Sequence, residues 1–399
     1  MANNNENKIL NVPNLRFPEF SGEWSSQPLT DFMNFKNGLN PDAKRFGRGT
    51  KFISVMDILN NQYICYDNIR ASVELQDGDI ETYGVDYGDI LFQRSSETLE
   101  DVGRANVYLD SKPAIFGGFV IRGKSKGNYN PLFFRYLLAS PTARKRIIVK
   151  GAGAQHFNIG QDGLSKVSLD IPRLSEQEKI GKLLQCVDAR IATQNKIIED
   201  LKKLKSAIIH RCYSSQTNMI PLSELLKQCS DRNRSGSDLQ VLSVSNKYGF
   251  IAQSNQFEDR EVASDDTSNY KVVKKGMFAY NPARINVGSI ALYEMDGNGI
   301  VSPMYVCFTA KSELLPSYLK YYFASQTFKH EMYKRLEGSV RLCLTFEELC
   351  NIEIHLPSIE QQKNISKYIS KIENNLSLVD SIFSKYQQQR RYLLSQMFI

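Results

Sequence analysis

The stretch GFVIRGKS, residues 118–125, has the residue types and spacing of a phosphate-binding loop, G-x-x-x-x-G-K-[ST]. A phosphate cradle needs backbone N–H groups in a tight glycine loop that is followed at once by a helix. Here the four residues between the glycines are bulky and typical of a strand, and KGNYNP follows instead of a helical pattern. We therefore predict a strand at this position and no nucleotide site.

A second stretch, YNPAR at residues 280–284, combines side chains that can read DNA bases. It is similar to the Asn-Pro-Pro-aromatic signature of amino-methyltransferases, but it lacks the second proline and the aromatic residue. Asn can pair with adenine and Arg with guanine in the major groove. Tyr280, Asn281 and Arg284 are therefore candidate DNA-binding residues. The alternative is an ordinary turn with an exposed arginine, and both interpretations stay open.

The loop QRSSETLEDVGR, residues 93–104, supplies Arg94, Ser95 and Arg104 as candidates for contacts to phosphate or guanine. Its acidic residues would repel a DNA backbone, so part of this loop is expected to face solvent. Basic residues also cluster at 44–51, 143–156 and 333–341, and glycines in the last two clusters would let the backbone approach phosphate closely. A charge run is usually a solvated face. A basic cluster stands, however, shortly before each of two long helical patterns in the sequence, and this recurrence favours DNA binding. These clusters add the candidates Lys51, Lys150, Gln155, His156, Arg335 and Arg341.

Cysteine and histidine do not have the spacing of a metal site. The seven cysteines include no Cys-x-x-Cys pair, and the four histidines are scattered. We expect reduced thiols and no metal ligands. No stretch approaches the roughly 18 consecutive apolar residues of a membrane span, so a cytoplasmic protein without membrane contact is expected.

The positive charge of the chain is unevenly distributed. The formal net charge is +7, yet residues 1–171 carry 20 basic and 19 acidic side chains, and residues 217–356 carry 15 and 16. Residues 172–216 carry 9 against 5, and residues 357–399 carry 6 against 3. The excess therefore lies in two segments, and bulk charge alone is weak evidence for nucleic-acid binding.

These two segments contain the same heptad pattern, which begins at IPRLSEQEKI (171–180) and again at LPSIEQQKNI (356–365). We call the separation between positions 171 and 356 the repeat offset. Lys205 and Arg390 occupy the same basic slot in the two copies, and Ser175 with Glu178 and Ser358 with Gln361 have the spacing of capping boxes. The apolar seam positions are Ile180, Leu184, Val187, Ile191, Ile198, Leu201 and Ile208 in the first copy, and Ile365, Ile369, Ile372, Leu376, Phe383, Tyr386 and Leu393 in the second.

The repeat offset continues upstream, where FFRYLLASPTARKRI (133–147) lies over YLKYYFASQTFKHEM (318–332). Each copy is therefore a lobe of about 140 residues followed by a long helix, which at 37 residues would span roughly 55 Å. Short β-branched and aromatic runs bounded by glycine predict a mixed α/β (α+β) lobe with an antiparallel-rich sheet. Because neither helix can bury its seam alone, we predict an antiparallel two-helix spacer with a lobe at each end and approximate two-fold symmetry. The predicted domains are 1–171, 172–216, 217–356 and 357–399.

The chain resembles the specificity subunit of type I restriction-modification systems over essentially its whole length. The resemblance rests on LRFPEFSGEW (15–24), GDILFQRSSETLEDVGRANVY (88–108), GAGAQHFNIGQDGLSKVSLDIPRLSEQEKI (151–180) and KKGMFAYNPARINVGSIALYEMDGNGIVSPMYVCF (274–308). It implies two target recognition domains, each reading one half of a gapped site on double-stranded DNA. The helices would act as spacers that dock two adenine methyltransferase subunits, and restriction-translocase subunits would join through these. The subunit itself would be non-catalytic, with S-adenosylmethionine, ATP and Mg²⁺ bound only by partner subunits.

Two other functions compete with this expectation. A fused restriction-methylation enzyme should carry a cofactor-binding glycine loop, a complete Asn-Pro-Pro-aromatic signature and a nuclease acid-acid-Lys set, and none is complete in the sequence. A coiled-coil scaffold that binds only proteins would not direct DNA methylation. The half-sites and the gap length are not encoded in any pattern that can be read directly, because base choice depends on side-chain geometry and DNA shape.

Overall fold

A computed structural model describes residues 10–153, 156–215, 217–234, 236–253, 266–338 and 342–399. The chain forms two compact units: unit 1 comprises Met1–Asn195 and Ser381–Ile399, and unit 2 comprises Lys196–Asp380. The division between the units cuts both long helices, because each lobe packs against a segment of its own helix and a segment of the other.

Unit 1 contains two four-stranded sheets and two short strand pairs. The strands are β1 (Ser25–Pro28), β2 (Met33–Asn37), β3 (Phe46–Ile53), β4 (Ala71–Val73), β5 (Gly84–Val85), β6 (Ile90–Gln93), β7 (Ser95–Ser96), β8 (Ala105–Val107), β9 (Ala114–Phe116), β10 (Val120–Ser125), β11 (Phe157–Asn158) and β12 (Ser168–Ile171). The sheets have the orders β2-β10-β6-β8 and β4-β3-β9-β5, and the pairs are β1-β12 and β7-β11. Strand β10 covers most of the phosphate-loop pattern, which confirms that this stretch is a strand.

Some helices of unit 1 begin at residues whose side chains cap them. The helices of unit 1 are α1 (Val55–Asn60), α2 (Asp79–Tyr83), α3 (Pro131–Ala139), α4 (Pro141–Ile148), α5 (Gln161–Ser165) and the start of α6 (Leu174–Tyr213). The side chain of Asn130 accepts a hydrogen bond from Phe133 N, and Ser140 does the same for Ala143 N. Each cap is followed by proline, whose fixed φ suits the first helical position. Residues 131–148 therefore form two short helices joined at Ser140.

Unit 2 repeats this arrangement. Its strands are β13 (Met219–Pro221), β14 (Leu226–Cys229), β15 (Gln240–Ser245), β16 (Gly249–Ala252), β17 (Lys271–Val273), β18 (Met277–Tyr280), β19 (Ile290–Leu292), β20 (Gly299–Val301), β21 (Val306–Ala310) and β22 (Glu353–His355). The sheets have the orders β14-β21-β18-β19 and β16-β15-β20-β17, with β13 paired to β22. The parallel pair β15·β20 corresponds to β3·β9 in unit 1, while the other ladders of both units are antiparallel. The mixed α/β fold and the internal duplication are thus confirmed.

The helices of unit 2 follow the same plan. They are α7 (Leu222–Leu225), α8 (Pro316–Phe323), α9 (Gln326–Tyr333), α10 (Phe346–Cys350) and α11 (Ile359–Gln396), which ends in unit 1. Ser325 caps α9 by accepting from Phe328 N, one repeat offset after the equivalent cap of α4. Ser358 and Gln361 form the predicted capping box of α11. The first predicted box is wrong, because Ser175 is the second residue of α6 and not its cap.

Within each unit the segments of α6 and α11 run antiparallel. In unit 1 Asp188 pairs with Arg390, and Arg190 hydrogen-bonds Tyr386, so residue numbers rise along one helix as they fall along the other. In unit 2 Lys205 pairs with Glu373. The buried seam residues are Ile180, Leu184, Val187, Ile198, Ile369, Ile372 and Leu393. The half-buried ones are Ile191, Leu201, Ile208, Ile365, Leu376, Phe383 and Tyr386.

The end of α11 completes the core of unit 1. Met397 and Phe398 are buried in the same cluster as Trp24 and Phe133. The ring of Phe398 lies 6.5 Å from Trp24 and 5.6 Å from Phe133, between ring centroids. The last residues of the sequence thus stabilise the first lobe. Within the described part of the chain, no helix is both long and apolar enough to cross a membrane, and no three His, Cys, Asp or Glu side chains are grouped to hold a metal ion.

Candidate DNA interface

Surface 1, on unit 1, comprises Asn40, Arg94, Ser95, Phe119, His156 and Asn158. It forms where β7 pairs with β11, which sets Ser95 opposite Asn158 across the ladder. Ser95 Oγ donates to Asn158 Oδ1 at 2.5 Å, and Asn158 Nδ2 donates to the carbonyl of His156 at 3.3 Å. Two loops that are distant in sequence are therefore joined at one edge of the unit, which brings together the predicted residues Ser95 and His156.

The turn before β10 is the apolar part of surface 1. Arg94 N donates to Phe119 O at 2.9 Å, and Arg94 Nη1 donates to Gly118 O at 3.3 Å, which fixes the turn beside Arg94. The side chain of Phe119 is 69% exposed. Gly118 lets the Asn40 side chain pack against the turn, because a Cβ atom would displace the amide of Asn40. Surface 1 thus presents hydroxyl, amide, imidazole and guanidinium groups around one exposed aromatic ring.

Surface 2, on unit 2, occupies the equivalent place and comprises Asn281, Arg284 and Met304, with the buried Ser243, Ser289 and Tyr305 beneath them. The segment after β18 corresponds to the segment after β6, and Met304 stands one repeat offset after Phe119. Met304 is likewise exposed, at 62%. Asn281 Oδ1 accepts from Ala283 N at 3.1 Å, and its Nδ2 lies 3.6 Å from Met304 Sδ. These residues line a cavity of about 290 Å³.

Both surfaces have the groups that base recognition requires. Asn and Arg can make bidentate contacts with adenine and guanine, and apolar side chains can contact a thymine methyl group. Apolar side chains can also wedge between base steps. The polar residues differ between the surfaces while their scaffold is shared, so the two surfaces would present different hydrogen-bonding patterns to DNA.

Tyr280 belongs to the core and not to surface 2. Its side chain is fully buried, and its hydroxyl donates to the carbonyl of Leu344 at 3.2 Å. Burial raises the pKa of this hydroxyl. The reason is that β18 is an inner strand of its sheet, with neighbours on both sides. The candidate base contacts of YNPAR are therefore reduced to Asn281 and Arg284.

The remaining predicted residues lie apart from these surfaces, or their side chains already form hydrogen bonds or ion pairs within the protein. Lys51 Nζ donates to Ile69 O at 2.8 Å and so supports the fold. Arg104 pairs with Asp101 at 2.6 Å, which gives one acidic residue of that loop a structural partner. Arg335 pairs with Glu331 at 2.6 Å, and this bond, with one from Lys334, lowers the pKa of Glu331. Lys150 is exposed after α4. Gln155 and Arg341 lie outside the described residues.

Phe119, Met304, Asn40 and Asn158 were not expected from the sequence. The sequence feature that could have identified Phe119 and Met304 is their position. Phe119 follows a Gly-Gly turn and Met304 a Ser-Pro turn, each just before a strand, and the two positions are related by the repeat offset. An apolar residue in such a turn has no strand neighbours to cover it. Asn40 and Asn158 carry no such signal, because only the tertiary contacts bring them to the surface.

The long helices carry a second repeated constellation, at which each lobe is joined to the helices. In unit 1 Tyr136 Oη donates to Asp188 Oδ2 at 3.0 Å, and Arg390 Nε donates to Asp188 Oδ1 at 2.6 Å. In unit 2 Tyr321 Oη donates to Glu373 Oε2 at 2.8 Å, and Lys205 Nζ donates to Glu373 Oε1 at 2.6 Å. Every position differs from its equivalent by the repeat offset. In both triads the basic residue comes from the helix of the other copy.

The buried glutamines near the helix starts are equivalent in the same way. Gln177 Oε1 accepts from Asn130 N at 3.0 Å, and its Nε2 donates to Pro172 O at 3.0 Å. Gln362 Oε1 accepts from Leu315 N at 2.8 Å, and its Nε2 donates to Pro357 O at 2.9 Å. Each glutamine thus joins the start of a long helix to the start of α3 or α8, and holds the lobe in one orientation to its helix.

Comparison with known proteins agrees with this architecture. The sequence profile of the type I restriction modification DNA specificity domain matches residues 21–203 and 235–382. The chain is 24% identical over 408 residues to the type I restriction enzyme MjaVIII specificity subunit of Methanocaldococcus jannaschii, covering 94% of this chain and 91% of that protein.

Solved structures share the fold. The S subunit of a type I restriction-modification system from M. genitalium matches with a TM-score of 0.60 and 15% identity, covering 97% of this chain and 99% of that one. A chain from a structural study of complex assembly and conformational transition in a type I R-M system matches with a TM-score of 0.56 and 13% identity, covering 95% and 98%. The duplicated lobes, the long helices and the match to the specificity domain over most of the sequence lead to one conclusion: the chain belongs to the type I restriction-modification DNA specificity family.

Proposed function

We propose that this chain is the DNA-recognition subunit of a type I restriction-modification complex, in which surface 1 and surface 2 each read one half of a gapped site on double-stranded DNA. The observation that carries the proposal is the repetition of one exposed surface on two copies of one scaffold, with different polar side chains on each. Identical scaffolds favour equivalent docking on DNA, and different side chains favour different half-sites.

The proposal assigns the long helices two tasks. As spacers they set the number of unread base pairs between the half-sites. As docking elements they bind two adenine methyltransferase subunits, through which restriction-translocase subunits join. Exposed apolar side chains on the helices support docking, because such groups are normally covered in an assembled complex. They are Leu174, Ile197, Leu204, Ile359, Tyr368, Leu378 and Tyr392.

Under this proposal the chain catalyses no step itself. S-adenosylmethionine, ATP and Mg²⁺ would act in the partner subunits, and the complex would work in the cytoplasm, where the DNA is. This chain's residues would bind the duplex, orient it and hold each methyltransferase over its adenine. A fused enzyme would require its own cofactor loop, which the sequence lacks in complete form.

Methylome sequencing tests the function directly. Cells that express the methyltransferase with this chain should show adenine methylation at one gapped motif, and cells that express the methyltransferase alone should not. The same methylation pattern with and without the chain would overturn the proposal. A protein-only scaffold would also leave the pattern unchanged.

The spacer role has its own test. Insertion of one heptad into each long helix lengthens them by roughly 10 Å at 1.5 Å per residue. The gap in the methylated motif should then grow by about three base pairs at 3.4 Å per pair, with both half-sites unchanged. A new half-site with the old gap would contradict the spacer role.

Docking can be tested by co-purification with the methyltransferase. Leu204→Glu and Leu378→Glu place charges on the exposed apolar helix surface and should weaken recovery of the complex. Ser377→Glu, at an exposed neighbouring position, is the matched control and should have no effect. Equal recovery with all three variants would exclude this surface from docking.

A further inference from the structure

Two adjoining cavities in unit 1 are not explained by DNA reading at surface 1. They have volumes of about 510 and 590 Å³, and both are lined by Arg135 and Arg390. They lie between α3, α4 and the long helices, away from the turn that carries Phe119. The two cavities adjoin at these shared arginines, and we call them together the double cavity.

The double cavity is lined by more positive than negative charge. The first part adds Arg391 and the acidic Asp188, and the second adds Arg104, Arg144 and Lys145 with the acidic Glu100. Asp188 already accepts from Arg390 and lies 3.4 Å from Arg135 Nη1, so its negative charge is already compensated by these two arginines. Arg104 is paired with Asp101. Arg144, Lys145 and Arg391 form no ion pair among the described residues.

Arg144 shows most clearly that positive charge in the double cavity lacks a negative partner. Its Nη2 donates to Glu100 O at 2.8 Å and to Val102 O at 2.6 Å, which aims the guanidinium at the cavity wall. Its Nη1 is buried and has no acceptor within the described part of the chain. Burial, with a further contribution from Arg104, lowers the pKa of Arg144 to about 10. The Nη1 atom itself is closed to solvent, so Arg144 acts on the cavity through its positive charge, which no carboxylate pairs with among the described residues and which favours an anion there.

The duplicated scaffold does not need these arginines. The positions one repeat offset after Arg135, Arg144 and Arg104 are Lys320, Lys329 and Ser289. Lys320 is paired with Glu294 at 2.6 Å, and Ser289 donates to Val244 O at 2.9 Å. Lysine thus keeps the positive charge at two of these three positions in unit 2, while the planar guanidinium fork at these positions is particular to unit 1.

We propose that the double cavity binds a phosphate-bearing anion. The planar guanidinium fork of arginine matches two phosphate oxygens, and several arginines around one cavity can hold a diphosphate. Ile58, Leu59 and Leu138 line the same cavity and provide an apolar wall for the organic part of a phosphate ester. The phosphate can come from a soluble compound or from a backbone phosphate of duplex DNA, and the two sources are distinguishable.

Titration calorimetry of the complete chain with inorganic pyrophosphate is the test, and it requires no methyltransferase. One saturable site per chain is expected. Lys145→Gln should weaken binding by about tenfold, which corresponds to one charge-assisted hydrogen bond. Because the exposed Lys145 has no hydrogen bond or ion pair among the described residues, this variant should fold normally. Arg144→Gln should weaken binding at least as much.

Lys329→Gln is the matched control, since it removes one positive charge at the position of unit 2 equivalent to Arg144. It should bind pyrophosphate like the unaltered chain. Absence of binding, or an equal loss in all three variants, would overturn the proposal, because the latter would show only a response to net charge. A non-specific short duplex forms the second arm. If the duplex displaces pyrophosphate and its own affinity falls in Lys145→Gln, the source is the DNA backbone; if pyrophosphate binding persists with duplex bound, the source is a soluble phosphate.

Discussion

Arg390 Nε donates to Asp188 Oδ1 at 2.6 Å, and so joins the last helix of the chain to the first long helix inside unit 1. The carboxylate is 8% exposed and the guanidinium 29%. Tyr136 contributes the second hydrogen bond to this carboxylate. This mostly buried carboxylate has two cations, because Arg135 Nη1 lies 3.4 Å from its other oxygen, and removal of Arg390 takes away the closer one.

Arg390→Ala should therefore lower the free energy of unfolding by about 2 kcal/mol, as expected for the loss of one hydrogen bond between charged groups. Urea denaturation with separate probes for the two units measures the loss, which should fall on unit 1. Lys385→Ala, at an exposed position of the same helix, is the control. The double variant Asp188→Ala with Arg390→Ala should lose less stability than the sum of the two single variants, because the bond between these two residues can be lost only once. Strictly additive losses would contradict a direct coupling between the two residues.

Gln177→Ala should lower the free energy of unfolding by about 2 kcal/mol, because it leaves the Asn130 N–H and the Pro172 carbonyl without their partner. Gln362→Ala should have the same effect in unit 2, where the equivalent bonds are made. Gln389→Ala, at an exposed position of α11, should change stability by less than about 0.5 kcal/mol. Thermal unfolding of the three variants tests this prediction, and a large effect of Gln389→Ala would count against the proposed role of the two buried glutamines.

Phe119→Ala and Met304→Ala should leave stability nearly unchanged, because both side chains are largely exposed. If they contact bases, each should reduce DNA affinity by about tenfold to a hundredfold, in line with about 1–3 kcal/mol per specific contact. Phe119→Ala should relax the sequence requirement in one half of the motif, and Met304→Ala in the other. Tyr87→Ala, which removes another exposed ring from unit 1, is the control. Methylome sequencing of each variant shows which half-site changes, and unchanged motifs would exclude both turns from base recognition.

Alkaline pH should destabilise unit 2 more than its surface charge would suggest. Burial raises the pKa of Tyr213, Tyr318 and Tyr322 above the ordinary value of about 10. Above that pH the unfolded chain loses phenolic protons while the folded chain keeps them. The stabilisation is therefore complete below about pH 10 and is lost as the pH rises beyond it. Urea midpoints measured across this range should fall, and ultraviolet titration of the folded protein should show these tyrosines still protonated. Ionisation of all tyrosines near pH 10 without unfolding would contradict the prediction.

The sequence predicted the repeat and the long helices because both depend on spacing along the chain. The seam from Ile180 to Ile208 is a local pattern, and the equivalence of Lys205 and Arg390 follows from one constant offset. The sequence could not predict which candidate residues reach the surface. Tyr280 is buried because β18 lies inside its sheet, and Lys51 is held by the carbonyl of Ile69 on another segment. Phe119 is exposed because of its turn, although its residue type favours the core. These outcomes depend on tertiary contacts that no local pattern records.

The swapped basic residues separate two kinds of evolutionary freedom within one chain. Asp188 is neutralised by a residue of the second copy, and Glu373 by a residue of the first, so a substitution at any of these four positions has to be matched by a change in the other copy. The residues of surface 1 form no such pairs with those of surface 2 among the described residues. The helices are therefore expected to change in pairs among relatives, while each reading surface is free to acquire a new specificity alone.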